Sequence, residues 1–224
     1  MKIGIFTWYN KEISNYADNF FKINKIYCEK HGYDLIKSSK SFYRGKVNYT
    51  WKSVHWERYP LLLRHIKKYD YVMWIDADAF FYVDSPPLEN LIKKYDKEIL
   101  LSQDKNYDNN GDVPPWINSG VFIIKNTEKA IEILKRWAFS QELRKFTRYR
   151  RTGWVHDQAM IRGTYNCNMN NIKDITTVIP YLELQHFIKG EEKYNSPYIY
   201  HAAGRPVIRY DESKEYLRRL LSKS

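Results

Sequence analysis

The run Tyr71-Val72-Met73-Trp74-Ile75 is apolar at every position and stops abruptly at Asp76-Ala77-Asp78. A strand without a polar face has to be covered on both sides, as in a parallel sheet with helices above and below it. The neighbouring segments fit that demand. Lys2 to Thr7 is β-rich, and Tyr16 to His31 places Phe20, Ile23, Tyr27 and His31 at helical spacing. Gly32 stands where a helix ends, and Tyr33 to Ile36 reads as a second strand. Tyr59 to Tyr69 predicts a helix that tolerates Pro60 in its first turn. Pro86 and Pro87 turn the chain into a short helix over Leu88 to Tyr95. Ile99 to Ser102 and Gly120 to Lys125 predict strands, and Glu128 to Phe139 an amphipathic helix capped by Asn126 or Thr127. The expected fold is α/β, a single domain over residues 1–224 with a mostly parallel central sheet flanked by helices. Asp104 to Trp116 and Gln141 to Gly153 read as loops, the second rich in Arg and Lys among aromatics.

Composition narrows the class. Of 224 residues, 17% are aromatic, including 20 Tyr and 7 Trp, which excludes a disordered chain. Two separated cysteines, Cys28 and Cys167, exclude a disulfide framework and a cysteine-based zinc module. No stretch approaches the roughly 20 apolar residues of a membrane span. The opening Met1 to Glu12 has too short an apolar run for a signal peptide, so a soluble, cytoplasmic protein is expected. The net charge of +11 suits an acidic partner: nucleic acid, an anionic membrane face or a phosphorylated substrate. Charge alone does not choose among them.

Four polar clusters carry the chemistry. Asp76 and Asp78 follow the buried strand, and in extended backbone residues two apart point to one side. Such a pair either caps the next element or approaches one hard divalent cation such as Mg²⁺ or Mn²⁺. Asn118-Ser119-Gly120 enters an apolar strand, either as an ordinary turn or as a corner where backbone and donors approach a ligand. Asp157-Gln158 is either a helix cap or a carboxylate and amide beside a reacting centre. His201, closing the run Tyr198 to His201, is either structural or a third metal ligand, with Gly204 and Arg205 just beyond it.

Taken in order, these landmarks resemble a nucleotide-sugar glycosyltransferase of GT-A type, and most closely family 34, which holds galactosyl-, mannosyl- and xyloglucan xylosyltransferases. Asn24, Lys25, Tyr27, Cys28, His31, Gly32 and Tyr33 match the family's N-terminal segment, and Trp56-Glu57-Arg58 with Pro60 its pre-helix segment. Trp74 to Ala79, Asn118 to Phe122, Asp157-Gln158 and Tyr200 to Gly204 match the rest. Two positions depart: His156 stands where an acid is usual, and Arg58 where Lys is common.

The resemblance implies a metal-dependent, retaining transfer of a sugar from a nucleotide-diphosphate donor, UDP-linked, to a glycan hydroxyl. Asp76, Asp78 and His201 would hold Mn²⁺ or Mg²⁺. Thr7, Trp8, Tyr9, Arg58, Asp76, Ala77, Ser119, Gly120, Gly204 and Arg205 would line the nucleotide-sugar pocket. Asn118, Asp157 and Gln158 would face the transferred sugar. Residues 1–125 would form the donor and metal half, and 126–224 the acceptor side with the metal-closing segment. Two other readings remain at this stage. The basic stretch Arg144 to Arg151 would hold nucleic acid, either as acceptor or as the ligand of a non-catalytic binding module.

Overall fold

The computed structural model describes residues 1–47, 52–105, 116–146, 157–187, 198–203, 211 and 214–218. Its centre is a six-stranded sheet built from β1 (Ile3–Trp8), β2 (Asp34–Ser38), β3 (Tyr71–Ile75), β5 (Ile99–Gln103), β6 (Ile117–Lys125) and β7 (Thr176–Ile179). The spatial order is β2-β1-β3-β6-β5-β7. Pairing is parallel for β1 with β2 and β3 and for β5 with β7, whereas β6 runs antiparallel to both its neighbours. Five strands therefore share one direction and β6 is reversed. The mostly parallel sheet expected from the apolar runs is present.

β3 lies between β1 and β6, and all five of its residues are buried. Val72 and Trp74 join the apolar cluster on one face, with Tyr59, Leu62, Leu134 and Trp137 of the covering helices. Met73 and Ile75 join the cluster on the other, with Tyr27, Leu91 and Ile92. Burying side chains of this size contributes about 1.5–3 kcal/mol each, so the unbroken apolar run ties this strand to the centre of the sheet.

The helices follow their sequence signals closely. α1 (Ser14–His31) buries Phe20, Ile23 and Tyr27, and Gly32 ends it in the left-handed region at φ 73°. α2 (Arg58–His65) keeps Pro60 in its first turn, and short 3₁₀ segments flank it at Val54–Glu57 and Ile66–Lys68. α3 (Leu88–Tyr95) covers the Tyr27 face, and Thr127 caps α4 (Glu128–Phe139) by accepting from the Ala130 N–H. α5 (Asp157–Asn166) and α6 (Ile172–Ile175) precede β7. Among the described residues no helix is long and apolar enough to cross a membrane.

A second sheet of three strands sits beside the first. β4 (Ala79–Phe81) pairs antiparallel with β9 (Ile199–His201), which pairs parallel with β8 (Gln185–His186). Asn24 of α1 clamps β4 in place. Its amide donates to the Ala79 carbonyl at 3.0 Å and accepts from the Phe81 N–H at 2.9 Å.

Two segments differ in secondary structure from what their residues predict. β6 begins at Ile117, so Asn118-Ser119-Gly120 lies inside a strand. The stretch expected as a loop from Gln141 carries a 3₁₀ turn at Glu142–Phe146, and its remainder from residue 147 lies outside the described residues.

Candidate active site

Four chain segments meet at the carboxyl end of β3. Asp76-Ala77-Asp78 forms the turn from β3 into β4, closed by the Ala79 N–H donating to the Asp76 carbonyl at 3.0 Å. The two acids therefore converge across a turn, where extended backbone was expected. The Asp76 N–H extends the β3 ladder to the Gly120 carbonyl at 2.8 Å. β9 then delivers the histidine: Ala79 stands opposite His201, and the Ala202 N–H donates to the Asp78 carbonyl at 2.9 Å.

One ligand atom from each of Asp76, Asp78 and His201 lies within 4.8 Å of the others. His201 Nε2 is 3.3 Å from Asp78 Oδ1 and 3.8 Å from Asp76 Oδ2. Gly120 makes this packing possible. A Cβ there would run into the His201 ring and stand 2.9 Å from both Asp76 Oδ2 and Asn118 Oδ1. Two carboxylates and an imidazole nitrogen around one point form an oxygen-rich donor set that suits a divalent cation such as Mn²⁺ or Mg²⁺.

The Asn118 segment is shaped by a bulge. The β5–β6 register shifts so that Leu101 faces Phe122 while Ser102 faces Asn118. Ser119, Gly120 and Val121 therefore leave β5, although Val121 stays paired with Ile75 of β3. Bulges redirect side chains in this way. Asn118 Oδ1 turns back to accept from the Gly120 N–H at 2.9 Å.

Arg58 joins the acids into one unit. It is only 2% exposed, yet its guanidinium lies 3.1 Å from Asp76 Oδ1 and 3.3 Å from Asp157 Oδ2. It also donates to the carbonyls of Ser119 and His55 and lies over the Trp74 ring. Asp157 opens α5, but its carboxylate points sideways to accept from the Tyr59 hydroxyl at 2.8 Å. Gln158 is held at both ends: it accepts from the Ser119 N–H and donates to Asp104, each at 3.2 Å. Burial pushes the Asp76 carboxyl above its ordinary range, and the charges of Arg58 and His201 oppose that rise. The 24% of its side chain still exposed limits the desolvation. Burial likewise lifts the Tyr59 hydroxyl far above its usual value, with Asp157 adding to the effect.

These groups line one cleft of about 560 Å³. Trp8, Arg58, Asp76, Ala77, Asp78, Asn118, Ser119, Gly120, Asp157, Gln158 and His201 all border it. Thr7 and Tyr9 do not. Thr7 is buried in β1, and the Tyr9 hydroxyl donates to Asp18 at 2.7 Å. Ala203 borders the cleft, whereas Gly204, Arg205 and His156 lie outside the described residues, as does most of Arg144 to Arg151.

Sequence reasoning passes over three residues that matter here. Tyr59 orients Asp157, Gln185 contacts His201 Nδ1 at 3.0 Å, and Arg162 enters the cleft with its guanidinium 3.9 Å from the Trp116 ring. Tyr59 had a visible signal, because it directly follows Arg58. Gln185 sits in a two-residue strand and had none.

A family model described as nucleotide-diphospho-sugar transferase matches residues 19–215. The chain belongs to that family. Within it, the chain is 22% identical over 155 residues to an alpha-1,2-galactosyltransferase of Schizosaccharomyces pombe, covering 57% of this chain and 41% of that protein. A relative from Arabidopsis thaliana is 23% identical over 128 residues, covering 53% of this chain and 25% of its own length. The chain thus spans less than half the length of these curated relatives.

The transferase fold is of GT-A type. A glycosyltransferase involved in glycosylation of the major capsid of PBCV-1 superposes with a TM-score of 0.71 at 16% identity, covering 96% of this chain and all of that one. The galactosyltransferase LgtC, solved with donor and acceptor sugar analogs, gives 0.51 at 13% identity, covering 96% of each chain. These superpositions bear out the expected GT-A fold, and the family model with the galactosyltransferase relative bears out the resemblance to family 34.

Proposed function

We propose that this transferase moves a sugar from a UDP-linked donor to a hydroxyl of a glycan acceptor, with retention of anomeric configuration. Asp76, Asp78 and His201 would hold the divalent cation, Mn²⁺ or Mg²⁺. The observation that carries the reading is their convergence on the wall of a cleft shared with Asp157 and Asn118. The cleft volume falls in the range of small-molecule sites. The galactosyltransferase relative and the sugar-bound neighbour support a hexose donor and a glycan acceptor. Retention and the UDP group rest on the likeness to family 34.

A bound divalent ion would offset the charge that develops on the departing diphosphate. The protein's own groups do the rest. Trp8 offers an indole edge of the cleft for the nucleotide, and its Nε1–H is already committed to the Lys40 carbonyl at 3.1 Å. Arg58 holds Asp76 and Asp157 in fixed relation. Asp157 is held through Oδ2 by Tyr59 and Arg58, and as a carboxylate lining the cleft it would face positive charge at the reacting carbon. A preorganised carboxylate of this kind stabilises an oxocarbenium-like centre without reorganising during the reaction. Ser119 and Gln158, locked to each other, shape the sugar-facing wall.

The test is UDP binding by calorimetry with and without Mn²⁺, in the native chain and in Asp78→Ala and Asp76→Asn. The expected result is metal-enhanced UDP binding in the native chain and none of that enhancement in either variant. Equal enhancement in all three proteins contradicts the assignment.

A further inference from the structure

We infer that Gln185 is a positioning residue that sets the tautomer of His201 and aims its Nε2 lone pair between Asp76 and Asp78. The inference deepens the metal reading above and rests on it for its consequence, although the hydrogen-bond logic stands alone.

The hydrogen-bond network behind His201 begins at Ser102. Its Oγ lies 2.8 Å from the Val121 carbonyl and 3.3 Å from the Asn118 carbonyl. Both are acceptors, so the single hydroxyl hydrogen is spent there and the oxygen can only accept elsewhere. Gln185 approaches that oxygen at 2.7 Å. The same end of Gln185 lies 3.2 Å from Asn118 Oδ1, which is identified as oxygen because it accepts from the Gly120 N–H. Two acceptors around one end of the amide fix that end as nitrogen. The other end is therefore the oxygen, and it faces His201 Nδ1 at 3.0 Å.

His201 Nδ1 must then carry a hydrogen. In the neutral ring Nε2 keeps its lone pair, facing the two carboxylate groups. That is the tautomer a cation site requires, and a hydrogen bond at the far nitrogen is the usual device for fixing it. Gln185 is 1% exposed and Ser102 is 1% exposed, so water does not compete for these bonds. The bulge in β6 supplies both acceptors that orient Gln185, through Asn118 Oδ1 and through the carbonyls that occupy Ser102. One backbone irregularity thus shapes the sugar-facing wall and, through Gln185, the histidine.

The experiment uses the full chain labelled with ¹⁵N-histidine and long-range ¹H–¹⁵N correlation NMR at about pH 8.5 without metal. The chain has 6 histidines, and His201→Asn assigns the signal. The expected result is the Nδ1–H tautomer. Gln185→Met should lose that preference, and its Mn²⁺ affinity, read by electron paramagnetic resonance without donor, should fall about 10- to 100-fold. Gln185→Glu keeps an acceptor for Nδ1–H, so it should retain the tautomer, and it serves if Gln185→Met does not fold. A native Nε2–H tautomer overturns the inference, as does Gln185→Met with unchanged tautomer and unchanged affinity. If the native chain binds no Mn²⁺ yet shows a Gln185-dependent Nδ1–H tautomer, the metal reading falls and the positioning role stands.

Discussion

Gly120→Ala is the sharpest perturbation, because it adds one methyl group to a residue that ligates nothing. The backbone at Gly120 lies outside the left-handed region, so alanine costs nothing in conformation there. The whole penalty is crowding. The new Cβ would collide with the His201 ring and press to 2.9 Å on Asp76 Oδ2 and Asn118 Oδ1. The His201 ring cannot turn aside without giving up its 3.0 Å contact with Gln185. Overpacking at such a site costs about 1–3 kcal/mol in stability. Displacing a ligand from its support lowers metal affinity about 10-fold or more, or about 1.4 kcal/mol per decade. The assay is Mn²⁺ titration followed by electron paramagnetic resonance, beside thermal unfolding of the metal-free protein. Gly120→Ala with native Mn²⁺ affinity would refute the packing argument, whatever its stability.

Two further outcomes concern stability. Arg58→Met strands two carboxylates that the guanidinium now pairs, and removing one partner of a buried ion pair costs about 3–5 kcal/mol. Burial already holds the Asp76 carboxyl above its ordinary value and Arg58 opposes that rise, so without Arg58 folded Asp76 takes up a proton more readily than the unfolded chain and Arg58→Met regains part of the loss as pH falls from about 7 to 5. Urea unfolding at both pH values checks this, and a loss that does not change with pH counts against it. Lys52 is buried against the Tyr43 and Trp56 rings and near the last carbonyls of α4, and burial pushes its pKa down to about 7. Above that value the unfolded chain holds a proton that the folded chain has released, so stability rises with pH. The gain is about 2 kcal/mol between about pH 7 and 8.5. Near pH 9 the unfolded Cys28 thiol begins to ionise while the buried one, pushed up to about 12, does not, which works in the opposite direction. Lys52→Met should flatten the rise seen by denaturant titration, and an unchanged slope would refute the assignment.

The parts of this molecule governed by local periodicity were legible in its residues. The apolar run of β3, the helical spacing of α1, the amphipathic pattern of α4 and the glycine after His31 each answer to a short-range rule. The acids at Asp76 and Asp78 were legible because they end an apolar strand abruptly. What escaped depends on pairing across long separations. β8 is two residues long and β4 three, and each exists because it pairs with β9. Asn118, Ser119 and Gly120 have low strand propensity and read as a corner, but the central position of β6 overrides that preference. Gln185 is a polar residue in an unremarkable run, and only the fold shows its three partners.

Donor turnover after metal removal decides whether Asp76, Asp78 and His201 work through a divalent ion. The native chain is stripped with excess chelator, offered a panel of UDP- and GDP-linked sugars, and assayed for nucleoside diphosphate release before and after Mn²⁺ or Mg²⁺ is returned. A UDP-sugar should be turned over only with metal present, and Asp78→Ala should stay silent in both conditions. Full turnover in excess chelator would contradict that metal requirement.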